Sequence, residues 1–185
     1  MEQQTYETVP LLQERNAVIE ISTLIKGALV GAAGTMLLDV WALFLTSVMN
    51  VPATNWAMVG RWLGHMPHGK FHHASISAAE PVKGELAIGW IAHYVIGISY
   101  GVLLIALWGA GWLAAPTLLP PLILSWMLLI APYFLMMPGM GLGIAGSKTP
   151  MPAITRIKSA VAHSVFGFGM YLAAEALAHL WPTAG

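Results

Sequence analysis

Cysteine is absent from the 185 residues, which excludes disulfides and thiolate metal centres. Charge is nearly as scarce. Eight basic and eight acidic side chains make up 9% of the chain, where a soluble domain carries about a quarter. The net charge of zero argues against a nucleic-acid partner. Also missing are a phosphate-binding glycine loop with Lys-Ser/Thr, a Gly-x-Ser-x-Gly elbow and a His-Glu-x-x-His pair. The run Gly139-Met-Gly-Leu-Gly-Ile-Ala-Gly146 has glycines near dinucleotide-loop spacing, but no strand precedes it and no βαβ unit surrounds it. These absences nominate no catalytic residue and disfavour an enzyme.

Apolar residues dominate what remains, at 57% of the chain. A soluble protein of that composition could not cover its surface with polar groups. The apolar residues gather into four stretches, at about 24–49, 86–108, 117–137 and 157–181. Each exceeds or matches the ~20 residues a helix needs to cross a bilayer. The expected fold is therefore all-α: an integral membrane four-helix bundle formed by one domain over 24–181. A polar tail (1–23) precedes it and a short one (182–185) follows. The tail holds Glu2, Glu7, Glu14 and Glu20 against Arg15, the reverse of a secretory leader, so the first stretch reads as an uncleaved helix.

Four crossings put the two long connections, 50–85 and 138–156, on one side, with both termini and the short turn 109–116 on the other. The connection side carries Arg61, Lys70, Lys83, Lys148, Arg156 and Lys158; the other has only Arg15 and Lys26. The positive-inside rule then makes the connections cytoplasmic and the termini external. Within the first connection, Thr54 or Asn55 can cap a short helix over 55–64. Its Trp56, Val59, Trp62 and Leu63 fall near helical spacing. That helix should lie along the membrane surface with Arg61 and Lys70 facing lipid phosphates. In the third stretch, Pro120 and Pro121 suit a first turn, whereas Pro132 should kink the helix. The carbonyl freed by Pro132 needs a neighbouring helix or polar group to satisfy it.

Three stretches carry a polar residue on a face of small residues. Residues four apart drift only ~40° around a helix. By that rule Gly27, Gly31, Thr35 and Asp39 share a face; so do His93, Gly97 and Gly101, and so do His163, Gly167, Tyr171, Glu175 and His179. Small residues at this spacing let membrane helices approach closely, which makes Gly27, Gly31, Gly97, Gly101 and Gly167 helix-packing positions. Asp39, His93 and His163 lie in the same half of the bilayer, at roughly 10–15 Å from the connection side at ~1.5 Å per residue. A carboxylate in lipid must be protonated or paired, so Asp39, His93 and His163 are expected to form a buried polar site. The bland account is that such a contact fixes helix register. The sharper one gives it a proton, ligand or metal. Glu175, Tyr171, His163 and Asp39 could extend into a relay, with His179 at its outer end.

A second cluster is His65, His68, His72 and His73 in the first connection. Imidazoles suit zinc, copper, iron or nickel, but the spacing follows no finger or zincin pattern, and Pro67 with Gly69 breaks any aligning helix. An interfacial loop with pH-dependent charge is the preferred account. Met136, Met137, Met140 and Met151 raise copper(I), although methionine more often fills irregular packing beside kinks.

Several segments in combination resemble one family of small bacterial inner-membrane proteins, a domain of unknown function (DUF2938). They are Leu38-Asp-Val-Trp-Ala42, Asn55-Trp-Ala-Met-Val-Gly-Arg-Trp-Leu-Gly-His-Met66, Gly89-Trp-Ile-Ala-His-Tyr94, Pro138-Gly-Met-Gly141 and His163-Ser-Val-Phe-Gly167. The likeness covers about 24–180. It implies a four-span protein of the bacterial cytoplasmic membrane and supplies no activity or cofactor. The functional expectation is a non-catalytic membrane module or subunit, working as a homo-oligomer or beside a partner membrane protein. The alternatives are a protein that binds a transition metal or haem, and a small proton-coupled transporter acting as an oligomer.

Overall fold

A computed structural model describes residues 8–181, with side chains described from Ile21 onward. The described residues are helical and contain no strand. In chain order they form α1 (Thr8–Met49), α2 (Trp56–His65), α3 (Glu85–Trp108), the short α4 (Gly111–Ala114), α5 (Leu119–Met127), α6 (Met137–Gly139) and α7 (Pro152–Leu180). Four helical segments are long and apolar enough to cross a membrane: Ile21–Met49, Glu85–Trp108, Leu119–Gly139 and Pro152–Leu180. α1 starts inside the polar tail, so its first turns precede the apolar stretch. The apolar runs form helices because lipid offers no partner for backbone N–H and C=O groups. Hydroxyls on these helices are met the same way: Thr35, Ser99 and Ser164 each donate to the carbonyl four residues back, at 2.8, 2.7 and 2.8 Å.

The bundle is built around α1, which packs against α3 on one side and α7 on another, while α5 packs on α7. Its core comprises Val30, Leu104, Ile105, Leu124, Phe166, Met170 and Ala174, with Trp112 and Leu113 of α4 closing the end near the short turn. Large apolar side chains such as Met36, Val40, Leu43 and Phe44 of α1 point outward, as a lipid-facing surface requires.

The third span departs from a regular α-helix at Pro132. Between α5 and α6 the chain makes a π-helical turn over Pro132–Met136, in which the Met137 N–H reaches back to the Pro132 carbonyl. The Leu128 carbonyl, which Pro132 cannot serve, accepts from Ala131 N–H at 3.1 Å. Tightening one turn and widening the next thus satisfies the backbone without a neighbouring helix.

The two long connections fold together into a cap at one end of the bundle. α2 begins at the Asn55 cap, whose side chain accepts from Met58 N–H at 3.4 Å. It lies against the start of α3 through Gly60 and Gly89. A β-carbon on Gly60 would collide with the Glu85 carbonyl, and one on Gly89 with the Trp56 carbonyl. Val59, Ile76 and Met140 form a small second core here, flanked by Trp56, Trp62 and Met136. Backbone bonds from His73 N to Gly139 O (2.9 Å) and Ile76 N to Met140 O (3.0 Å) join the connections directly. The Pro/Gly-rich exit of the third span is tucked under Trp62, whose indole Nε1 would lie 2.6 Å from a β-carbon on Gly139.

Candidate functional site

The glycine faces of α1 and α3 pair in antiparallel register. A β-carbon on Gly27 would lie 3.1 Å from the Cα of Val102, and one on Gly31 would lie 2.9 Å from the Gly101 nitrogen. One step further toward the cap, a β-carbon on Gly97 would run into the Thr35 hydroxyl. The next step places Asp39 opposite His93. Both are about the same height above the cap end, ~15 Å and ~12 Å by helical rise from Met49 and Glu85, so antiparallel pairing brings them level.

There His93 Nε2 donates to Asp39 Oδ1 at 2.9 Å, and the Tyr94 hydroxyl donates to Asp39 Oδ2 at 2.8 Å. Both carboxylate oxygens of the chain's single aspartate are therefore held by consecutive residues of α3. The Trp56 ring of α2 covers the imidazole of His93, with centroids 4.1 Å apart, and Trp90 meets its edge at 5.7 Å. The His93 side chain is 8% exposed and that of Asp39 20%. Sequence spacing selects Asp39 and His93. Four-residue spacing does not select Tyr94, which sits ~100° around the helix from His93. Its long side chain spans that angle to reach the second oxygen.

His163 hydrogen-bonds within its own helix. Its Nδ1 lies 2.9 Å from the Ser159 carbonyl of its own helix. Among the described residues no hydrogen bond or ion pair joins it to Asp39 or His93. α7 packs on two sides: a β-carbon on Gly169 would lie 2.9 Å from Gly34 Cα of α1, and one on Gly167 would lie 2.7 Å from the Ser125 hydroxyl of α5. Further along α7, the Tyr171 hydroxyl faces the Glu175 carboxylate. His179 Nε2 is 4.0 Å from Glu175 and 82% exposed. Among the described residues no hydrogen bond bridges Tyr171 to His163, so the Tyr171–Glu175 pair, His163 and the Asp39 trio form separate groups.

The four cap histidines divide as well. His65 Nδ1 is 2.7 Å from His73 Nε2, and His73 Nδ1 is 3.3 Å from the Gly139 carbonyl. As that carbonyl can only accept, Nδ1 of His73 carries a hydrogen and Nε2 accepts from His65. His68 and His72 are exposed and do not join this pair. Among the described residues no group of three or more His, Asp or Glu side chains converges as a metal would need.

Arg61 corrects an expectation. It does not face lipid phosphates. Its Nε and Nη2 grip both oxygens of Glu85 at 2.8 Å each, and Nη1 donates to the Ala79 carbonyl at 3.0 Å. Glu85 also accepts from Val82 N–H at 3.0 Å. The carboxylate raises the guanidinium further above its already high range. Arg61, five residues after Trp56 on the same helix, thereby clamps α2 on α3, and Trp56 lies over His93. The pairing is long-range in sequence, which hid it from helical spacing.

The fold and site together define a multi-pass membrane protein whose first two crossings are joined through a polar trio. The chain belongs to the family described as "Protein of unknown function (DUF2938)", whose model matches residues 28–177. Comparison with curated proteins and with solved structures gave no match.

Proposed function

We propose that this protein is a non-catalytic membrane module of the bacterial cytoplasmic membrane, in which Asp39, His93 and Tyr94 lock the register of the first two spans. One observation carries this reading: both oxygens of Asp39 are already bonded to α3, and Trp56 covers the ring of His93. The two short bonds to α3 set the height of α1 against it, which is what a register lock requires. Intramembrane hydrogen bonds of this kind contribute roughly 0.6–2 kcal/mol each, enough to select one register among several. With nearly all its mass in four crossings and a small cap, the module works as a subunit, beside a second copy or another membrane protein. The cap, which holds six of the eight basic residues, faces the cytoplasm.

Two measurements test this. Native mass spectrometry after mild-detergent extraction is expected to show an oligomer or a bound partner; a bare monomer under every mild condition overturns the subunit reading. The natural absence of cysteine makes Lys70→Cys a single-site probe of topology. An impermeant maleimide should label it only after the cytoplasmic face is opened.

A further inference from the structure

The cap contains a cavity of about 310 Å³, at the lower end of the ~300–1,000 Å³ typical of small-molecule sites. Its wall includes His72 from the first connection and Gly143, Ile144, Ser147 and Lys148 from the second. We infer that this cavity binds a phosphate oxyanion, supplied by the headgroup of an anionic phospholipid.

Four observations converge on that chemistry. The first is the donor set: an ammonium, an imidazole and a hydroxyl line one wall, and all three can donate to phosphate oxygens. The second is the local field. Residues 66–79 and 138–158 hold Lys70, Lys148 and Arg156 and no acid, Glu80 being the first one after them in the connection, while the ammonium of Lys158 donates to the Pro52 carbonyl at 2.9 Å. Arg156 is anchored on the same turn, its Nε donating to the Ala145 carbonyl at 3.0 Å. The third is the shape of the turn, held by bonds from Gly146 N to Gly143 O (3.1 Å), Ser147 N to Ile144 O (3.0 Å) and Lys148 N to Leu142 O (2.9 Å). Gly143 has φ +75°, and a β-carbon there would lie 3.0 Å from Lys148 Cγ. Glycine at this position therefore lets the lysine stem cross the turn toward the cavity. The fourth is the rim. Ile144, which lines the cavity, is 58% exposed, an apolar side chain left outside the core at the end of a membrane bundle. A site with one lysine and an exposed apolar side chain at its edge suits a headgroup whose acyl chains stay in lipid. The volume fits the headgroup and not a whole lipid. This inference is independent of the role given to Asp39, His93 and Tyr94.

The test is a titration of the full-length protein in neutral detergent, followed by thermal unfolding through tryptophan fluorescence. The probes are dioleoyl phosphatidylglycerol, dioleoyl phosphatidylcholine and inorganic phosphate. The phosphatidylglycerol should raise the unfolding temperature at a concentration well below that needed for phosphatidylcholine. Lys148→Gln should raise the half-effective concentration by about fivefold or more, the effect of one interfacial cation, and adding His72→Gln should raise it further. Lys83→Gln, an exposed cation away from the cavity, should leave it unchanged. Unliganded unfolding temperatures should agree across the variants, as the altered side chains are exposed. Equal titrations for wild type and Lys148→Gln overturn the site. A response to inorganic phosphate with none to phosphatidylglycerol overturns the lipid assignment.

Discussion

A β-carbon on Gly101 would fall 2.6 Å from the Cα of Gly31, so the first two spans touch backbone to backbone two turns away from Asp39. That closeness carries the polar trio. His93 and Tyr94 reach both oxygens of one carboxylate only because the axes of α1 and α3 are held together by the glycines above them. Wider separation of the helices would strand Asp39 in lipid without donors, at a cost that membrane insertion makes severe.

Gly31→Ala and Gly101→Ala should therefore lower stability by roughly 1–3 kcal/mol each, the usual cost of forcing extra volume into a packed contact. Gly27→Ala should cost less, since its β-carbon would meet Val102 Cα at 3.1 Å and neighbours that can shift by tenths of an ångström. Unfolding temperatures in a defined detergent check the order. Equal losses at all three positions would contradict the packing.

Substitutions in the trio should be coupled. Asp39→Asn and His93→Gln are each expected to destabilise by roughly 1–2 kcal/mol, and the double variant by clearly less than the sum of the singles. Tyr94→Phe should cost less than either, as Asp39 keeps its bond to His93. Additivity within experimental error would show that the side chains do not share one network.

The Arg61 clamp predicts a local effect. Arg61→Gln or Glu85→Gln should leave the bundle intact and loosen the cap, seen as faster proteolysis within residues 66–84. The exchanged pair Arg61→Glu with Glu85→Arg should recover part of the protection. Its recovery will be partial, because Ala79 O and Val82 N–H are placed for the native orientation.

Pro132→Ala should change stability little, by about 1 kcal/mol or less, although an interior proline ordinarily costs ~3 kcal/mol. The Leu128 carbonyl already accepts from Ala131, so removing the ring relieves no unsatisfied group. A gain near the full ~3 kcal/mol would show that the π-helical turn is strained.

Helical spacing made one side of the site readable and left the other blank. Asp39 and His93 each end a series of small residues at four-residue steps, and such a series marks a face turned toward protein. The same rule marks His163 and Gly167, but it does not name the neighbour a face will meet. Gly169 is in no such series, yet it meets Gly34 of α1, alongside Phe166 and Met170. Tyr94, Trp56 and Arg61 lay beyond the rule for a related reason. Each acts across a distance in the chain, through side-chain length or through the docking of α2, and period carries no information about either.

Hydrophobic length, the scarcity of charge and the Asn55 cap were enough, from the sequence alone, to establish four membrane-crossing helices and a short helix between the first two crossings. These follow from local physics, as lipid obliges each apolar stretch to satisfy its own backbone. The tertiary structure decided which donors surround Asp39, where His163 points and what holds Arg61. Those outcomes depend on how each helix is rotated about its axis, and that rotation is chosen by the closest fit of neighbouring backbones, a property of the assembled bundle.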